Sequence, residues 1–249
     1  MDVRAIQAES VFWLKRLLVG LVLSAISVFL VIQLMVFCLL VWWKYYPVQT
    51  SRFMWDYQRA HSSVSLQHHW INDTDMGTPI RQALIVAEDA RFTQHWGFDW
   101  EGMGAAMGRN ITRGEVTAGG STLTQQLAKN LFLPNTRAYW RKTEEAIITW
   151  MIERLWSKRR ILEVYLNTIE FGEGVYGIEA AAQHYFQCHA RQLTVEQAAW
   201  LAALVPNPVY YSAQQDARFQ KHLNRIRRDM PLAKLPAMEK TPLMPAQGP

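Results

Sequence analysis

The stretch "TPIRQALIVAEDARFTQHWGFDW" (residues 78–100) decides the fold class, because its first half has the spacing of an amphipathic helix. Thr78 followed by Pro79 is typical of a helix start, where threonine caps the first turn and proline sits just inside it. Apolar residues then recur at i, i+3, i+4 and i+7: Ile80, Ala83, Leu84 and Ala87. This periodicity predicts a helix with one buried face.

Two adjacent acids, Glu88 and Asp89, lie in the last turns of this predicted helix. The helix dipole disfavours negative charge there by roughly 0.3–1 kcal/mol for an exposed acid. Two interpretations stay open at this point. Either both acids are solvated at a frayed helix end, or one carboxylate is held where its pKa rises, as a general base requires.

A single membrane anchor is predicted from Leu17 to Trp43, a run that contains no charged residue. About 20 helical residues suffice to span the ~30 Å hydrocarbon core of a bilayer. The run ends in an aromatic belt typical of a membrane–water boundary: Trp42, Trp43, Tyr45 and Tyr46. It is too long for a signal peptide and has no cleavage site after it, so we expect an uncleaved anchor.

The flanking charges give the orientation only weakly, because basic residues are nearly balanced on the two sides of the span. Lys15 and Arg16 adjoin the span directly, and a long C-terminal domain translocates largely regardless of its charge. We therefore expect residues 1–16 to be cytoplasmic and the domain after the anchor to be external.

The net charge of +5 and the pI near 9.3 suit a domain that lies against anionic headgroups or handles phosphorylated lipid. Nucleic acid is the competing partner for a basic chain, but no nucleic-acid-binding motif is present. Cys38 falls inside the predicted span and Cys188 outside it, so no disulfide is expected.

Three regions follow the anchor. Residues 44–77 are polar, aromatic and irregular, and are predicted to form a membrane-proximal linker. Residues 78–229 are predicted to form helix after helix without strands, and the Pro-rich residues 230–249 a disordered tail. The linker contains three histidines: His61, His68 and His69. A metal site is the weaker interpretation of them, because an adjacent pair lacks the i, i+4 spacing of helical zinc ligands.

The stretch "GGSTLTQQLAKN" (residues 119–130) suits an anion, because paired glycines expose backbone N–H groups at a helix N-terminus. Thr122 with Gln125 forms a capping box. Thr122, Gln126 and Lys129 share one helix face. That face is either solvated or part of a groove for sugar hydroxyls and a phosphate.

Arg141 and Glu145 stand four residues apart on one face of a further predicted helix. An ordinary ion pair worth about 0.2–0.5 kcal/mol explains them when they are taken alone. Taken with the two preceding helices, they also suit a phosphate-and-sugar site. The nearby "GEGVYG" (residues 172–177) is not read as a dinucleotide fingerprint, because the preceding "ILEVYLN" has helical spacing where that motif requires a strand.

With these residues in place, the chain resembles the peptidoglycan glycosyltransferases of glycosyltransferase family 51 through five motifs in order. They are "EDARFTQHWGFD", "GGSTLTQQLAKN", "RKTEE", "RRILEVYLNTIEFGEGVYGIEAAAQHYF" and "LTVEQAAWLAALVPNPVYY". The resemblance covers residues 80–211. It implies a mainly α, lysozyme-like glycosyltransferase domain behind one N-terminal transmembrane helix. The implied reaction polymerises lipid II into β-1,4-linked glycan strands, with inversion and release of undecaprenyl diphosphate.

The resemblance also implies residue roles. Glu88 is the general base, Glu145 is the second functional carboxylate, and Arg141 binds phosphate. The first motif supplies supporting and substrate-binding residues: Asp89, Phe92 and His95. The donor-side groove contains Ser121, Thr122, Gln126, Lys129 and Asn130.

No obligatory cofactor is implied, with a divalent cation (Mg²⁺ or Mn²⁺) near Glu145 as an option. The implied partners are lipid II, the growing glycan strand, the membrane, and proteins of cell-wall synthesis or division.

Rival functions are weaker on the same residues. A lytic transglycosylase or lysozyme-like hydrolase also uses a carboxylate in a helical cleft, but it has no need for the cations Lys129 and Arg141. A membrane-anchored scaffold would leave the acids at the helix end unexplained. A penicillin-binding transpeptidase domain is excluded, because too few residues remain and no Ser-x-x-Lys with its partner motifs occurs.

Overall fold

The structure is a computed structural model that describes residues 3–61, 65–113, 120–134 and 139–237. Its contacts divide the chain into two units, Met1–Tyr45 and Tyr46–Pro249. The first unit consists of helix α1 (Val3–Trp43). Its stretch Phe12–Trp43 is long and apolar enough to cross a membrane. The predicted anchor is therefore one continuous helix.

The second unit is mainly helical, which confirms the predicted fold class. Its elements in chain order are α2 (Arg52–Ala60), β1 (Gln67–His68), α3 (Thr78–Glu88), α4 (Trp100–Arg113), α5 (Leu123–Phe132), α6 (Tyr139–Leu155), α7 (Lys158–Thr168), β2 (Glu170–Gly172), β3 (Val175–Tyr176), α8 (Ile178–Phe186), α9 (Val195–Leu204), α10 (Pro208–Ala213) and α11 (Ala217–Asp229).

The core forms where α3 packs against α9 and α11, and where α5 packs against α6 and α7. Ile80, Leu84 and Ile85 of α3 are fully buried, as are Leu123 and Leu127 of α5. Each such side chain contributes roughly 1.5–3 kcal/mol by leaving water. Helix α9 presents small buried residues that let its neighbours approach closely: Ala198, Ala199, Ala202 and Ala203. The catalytic candidates Glu88 and Asp89 thus lie at the end of a helix that is buried against α9 and α11.

Three short strands form a small sheet in the order β1-β3-β2, with β1 parallel and β2 antiparallel to β3. The sequence prediction of no strands was wrong here. The strands have only two or three residues each, which is too short for an alternating pattern to be visible. The glycine-rich "GEGVYG" therefore lies in a β2–β3 hairpin.

The predicted start of α3 agrees with the structure to within one residue, which is the usual scatter for helix ends. The predicted capping box Thr122–Gln125 is present, and a second capping box, Thr194–Gln197, begins α9. The N-cap of α3 is Gly77 rather than Thr78, which is the first helical residue. Gly119 of the paired glycines lies outside the described residues.

The predicted linker is more regular than its composition indicates. Helix α2 is capped by Ser51, whose hydroxyl accepts a hydrogen bond from the amide of Met54 at 3.2 Å, and Met54 is buried. Strand β1 adds to the sheet from the same segment. At the other end of the chain, Met230 is buried in a short 3-10 helix, Met230–Leu232. The remainder of the predicted tail, from residue 238, lies outside the described residues.

Candidate active site

Glu88 lies at the C-terminal end of α3, partly buried, and faces helix α5. The amide Nε2 of Gln126 donates a hydrogen bond to Glu88 Oε2 at 2.7 Å. The buried hydroxyl of Tyr165, from α7, donates to Gln126 Oε1 at 2.8 Å. The glutamine amide is thus held by the tyrosine and directs its hydrogen at the carboxylate.

Burial raises the pKa of Glu88, and the neighbouring negative charge of Asp89 adds to the rise. The hydrogen bond from Gln126 and the positive charge of Arg225 oppose the rise, because both favour the ionised form. A carboxylate with a raised pKa that keeps stabilising donors is suited to accept a proton near neutral pH.

Asp89 is 6% exposed and makes a different set of contacts from those of Glu88. Its Oδ2 accepts a hydrogen bond from the backbone amide of Leu123, the first residue of α5, at 3.0 Å. Its Oδ1 lies 2.9 Å from Nε2 of His95. Asp89 therefore sits at the unfavourable end of its own helix but at the favourable N-terminal end of α5. The interpretation of two solvated acids is wrong.

Thr122 joins the start of α5 to the loop between α3 and α4, next to the contact between Asp89 and Leu123. Its hydroxyl caps α5, accepting from the Gln125 amide at 3.2 Å, and donates to the carbonyl of Gly97 at 2.7 Å. Gly97 has φ +82°, and a Cβ there would lie 2.7 Å from Cγ2 of Thr149. The loop from α3 to α4 can therefore pass this close to α6 only because residue 97 is a glycine.

Lys129 lies one turn beyond Gln126 on the same face of α5, since side chains three residues apart on a helix are about 5–6 Å apart at Cβ. Its ammonium group is 5.2 Å from the ring centre of Phe53 in α2. Burial lowers the pKa of Lys129, and the nearby positive charges of Arg141 and Lys142 lower it further, while Glu145 opposes them. Helix α6 therefore brings its charged groups within electrostatic range of Lys129.

Glu145 is 4% exposed and forms ion pairs with two cations. Arg141 Nη1 lies 3.7 Å from its Oε2, and Lys142 Nζ contacts its Oε1. Arg141 Nε and Nη1 are buried and donate to no hydrogen-bond acceptor in the described part of the chain. A solvated surface pair would have exposed nitrogens instead. Buried N–H groups on a cation are the feature expected where an anionic ligand is to bind.

The remaining predicted site residues lie in α5 or just before it. Ser121 is exposed just before the Thr122 cap, and Asn130 is partly buried beside Lys129. Helix α5 thus connects the carboxylate of Glu88, through Gln126, with the cations at Lys129 and Arg141. Sequence reasoning missed four contributors: Phe53, Lys142, Tyr165 and Arg225. Only Lys142 and Tyr165 fall inside the quoted motifs, and neither has a local pattern that indicates its role.

Two histidines of the membrane-proximal segment contact other groups of the protein. His68 Nε2 lies 3.0 Å from the carbonyl of Asn167, and His61 stacks on Tyr57 with ring centres 4.4 Å apart. Within the described ranges, no group of three or more His, Cys, Asp or Glu residues is placed to hold a metal ion.

A family model described as transglycosylase matches residues 57–231 of the chain. The chain belongs to the transglycosylase family. This confirms the resemblance carried by the five motifs, and the matched region also includes the end of α2, from Tyr57, and all of α11.

Curated relatives in this family cover most of the chain. A protein of Acinetobacter baylyi named biosynthetic peptidoglycan transglycosylase is 50% identical over 208 residues, which are 83% of this chain and 93% of the relative. Proteins with the same name from Methylobacillus flagellatus and Aromatoleum aromaticum are 46% and 44% identical, over 84% and 86% of this chain and 91% and 95% of their own lengths. The similarity therefore covers more than four fifths of this chain.

Proposed function

We propose that this protein is a peptidoglycan glycosyltransferase that polymerises lipid II for bacterial cell-wall synthesis. The observation that carries the proposal is that one face of α5 lies next to two different kinds of group. One is the Glu88 carboxylate, whose pKa is raised, and the other is the partly buried cations Lys129 and Arg141. The names of the curated relatives give the substrate class.

Glu88 is the proposed general base. A sugar hydroxyl is a weak nucleophile, so a carboxylate must take its proton as it attacks the anomeric carbon of the donor. Gln126 holds one oxygen of Glu88, and Tyr165 holds Gln126 in turn. This arrangement fixes the base before the hydroxyl arrives.

Lys129 and Arg141 are the proposed ligands of the leaving group. A lipid diphosphate leaves with its charge already stabilised by its own oxygens, so neutralising cations help it more than a proton does. The buried N–H groups of Arg141 and the low-dielectric surroundings of Lys129 strengthen that interaction. A single displacement on an α-linked donor gives a β-linked product.

Glu145 is proposed to hold these cations in place. Its carboxylate already pairs with Arg141 and Lys142, so a divalent cation at this position would have to displace both. Participation of Mg²⁺ or Mn²⁺ stays a prediction, as do protein partners in cell-wall synthesis or division. The proposed topology keeps the N-terminus cytoplasmic and the domain periplasmic in the inner membrane.

Lipid II polymerisation by purified full-length protein tests the proposal. We expect Glu88→Gln to reduce the rate by at least 100-fold, as removal of a general base does. The matched control is Glu101→Gln, since this exposed carboxylate pairs only with Arg91 among described groups. Glycan strands that lengthen support a synthase. Shortening of finished glycan, or near wild-type polymerisation by Glu88→Gln, would contradict the assignment.

A further inference from the structure

We infer that Arg225 is a positioning residue for the general base, and that its guanidinium fixes the end of α3 and keeps a positive charge beside Glu88. Arg225 lies in α11, beyond the last of the five sequence motifs. The inference rests on the proposed function, because it assigns Arg225 a role in the reaction proposed for Glu88.

The geometry shows Arg225 holding the last turn of α3. Its Nη2 donates a hydrogen bond to the backbone carbonyl of Ala87 at 3.0 Å. Carbonyl groups in the last turn of a helix have no partner within the helix and carry the negative end of its dipole. A guanidinium at Ala87 therefore binds the residue that precedes the base and offsets the dipole that disfavours its ionised form.

His222, one turn earlier in α11, fixes the other hydrogen of the same nitrogen. Its Nδ1 lies 3.1 Å from Arg225 Nη2. Burial lowers the pKa of His222 to about 4, and the charge of Arg225 contributes. The imidazole is therefore neutral at physiological pH, and its Nδ1 can accept the second N–H of Arg225. Both hydrogens of Nη2 are thus bound, one by the Ala87 carbonyl and one by His222 Nδ1. These two contacts fix the orientation of the guanidinium group.

Within the described residues, the charged and titratable groups around Glu88 come from three parts of the chain. Asp89 is its chain neighbour, the phenol of Tyr165 comes from α7, and Arg225 comes from α11 with the neutral His222. Helix α5 contributes the uncharged Gln126. Helix α9 also packs along α3, but its Glu196 is paired with Arg227. Of the groups that act on Glu88, Arg225 supplies the positive charge.

The pH dependence of polymerisation separates this role from a purely structural one. In Arg225→Met, loss of the positive charge is expected to move the acidic limb of the rate profile upward by about one pH unit, since nearby charges shift carboxyl pKa values by this order. At pH values below the acidic limbs of both the wild-type and the Arg225→Met profiles, the rate of the variant is then about tenfold lower than that of wild type. At pH values above both acidic limbs, the rate of Arg225→Met is expected to lie within about threefold of the wild-type rate.

Two further variants complete the test. Arg225→Lys keeps the charge and is expected to retain the wild-type limb within about 0.3 pH units, a rescue that a lost guanidinium contact alone would not give. Arg218→Met is the matched control, because Arg218 is an exposed cation of the same helix, two turns away. Its profile is expected to equal that of wild type.

An unmoved acidic limb in Arg225→Met overturns the inference, even if the rate falls at every pH or the protein loses stability. A limb that moves equally in Arg218→Met also overturns it, since a general change of surface charge then explains the effect. Failure of the proposed function looks different: wild-type protein does not polymerise lipid II, or Glu88→Gln polymerises it normally.

Discussion

Replacing Asp89 by asparagine tests whether the second acid of the pair supports the fold or binds substrate. The family resemblance implies a substrate-binding or supporting role, and the structure places its carboxylate on the Leu123 amide and on His95. Asparagine keeps the shape and one acceptor oxygen. It removes the charge and turns an amide group toward one of the two partners.

The expected loss of stability follows from those contacts. A hydrogen bond to a charged group contributes about 1.5–3 kcal/mol, and one between neutral groups about 0.5–1.5 kcal/mol, so each of the two contacts loses about 1 kcal/mol. Loss of a buried negative charge at the N-terminus of α5 adds about 1 kcal/mol more. The sum, about 3 kcal/mol, corresponds to a fall in Tm of about 6–12 °C for a domain of this size.

Thermal unfolding of full-length protein in detergent, followed by circular dichroism, measures this change. Asp75→Asn is the control, because Asp75 is exposed and its substitution is expected to cost less than about 0.5 kcal/mol. At a temperature well below both transitions, we expect the KM of Asp89→Asn for lipid II to stay within about twofold of wild type. An unchanged Tm together with a KM raised tenfold or more would refute the scaffold role and restore the substrate-binding one.

Two further predictions concern the surroundings of the site. Gly97→Ala is expected to lower the free energy of unfolding by about 1–3 kcal/mol, because the residue has φ +82° and the new methyl group would lie 2.7 Å from Thr149 Cγ2; chemical denaturation measures it, and an unchanged midpoint contradicts the strain. Glu170→Gln is expected to flatten the dependence of stability on pH. Burial raises the pKa of Glu170 from 4.5 to about 7, so the folded state binds more protons between these values, and the stability present below pH 4.5 is lost as pH rises toward 7. After allowance for solvent screening, the fall between pH 5 and 7.5 should be about 1–2 kcal/mol smaller in the variant, and an equal fall in both proteins would contradict the assignment.

Local sequence signals were sufficient for the helical framework. The apolar face of α3 and the capping box of α5 lie within short windows, and each placed the start of its helix to within a residue or two. A raised pKa of Glu88 was one of the two interpretations that the sequence left open, because its main cause is burial, which depends on tertiary packing, and the adjacent Asp89 only adds to it. Helix α2 has a serine cap, but its aromatic composition concealed the periodicity.

Contacts between distant segments could not be predicted in the same way. Arg225 and Ala87 are 138 residues apart in the sequence, Tyr165 and Gln126 are 39 apart, and Asp89 and Leu123 are 34 apart. No periodicity joins such pairs, since they depend on how α3, α5, α7 and α11 pack. The same reason explains why the sequence alone could not separate the tasks of the two neighbouring acids.

The fixed orientation of the Gln126 amide has a stereochemical consequence. Because Tyr165 donates to Oε1 of the amide, the NH₂ group must face Oε2 of Glu88 and can only donate to it. A proton captured from a sugar cannot come to rest along that contact without disrupting it. In the proposed reaction, the incoming hydroxyl is therefore expected at the other carboxylate oxygen of Glu88, so that Tyr165, far along the sequence, would set the side from which the nucleophile approaches.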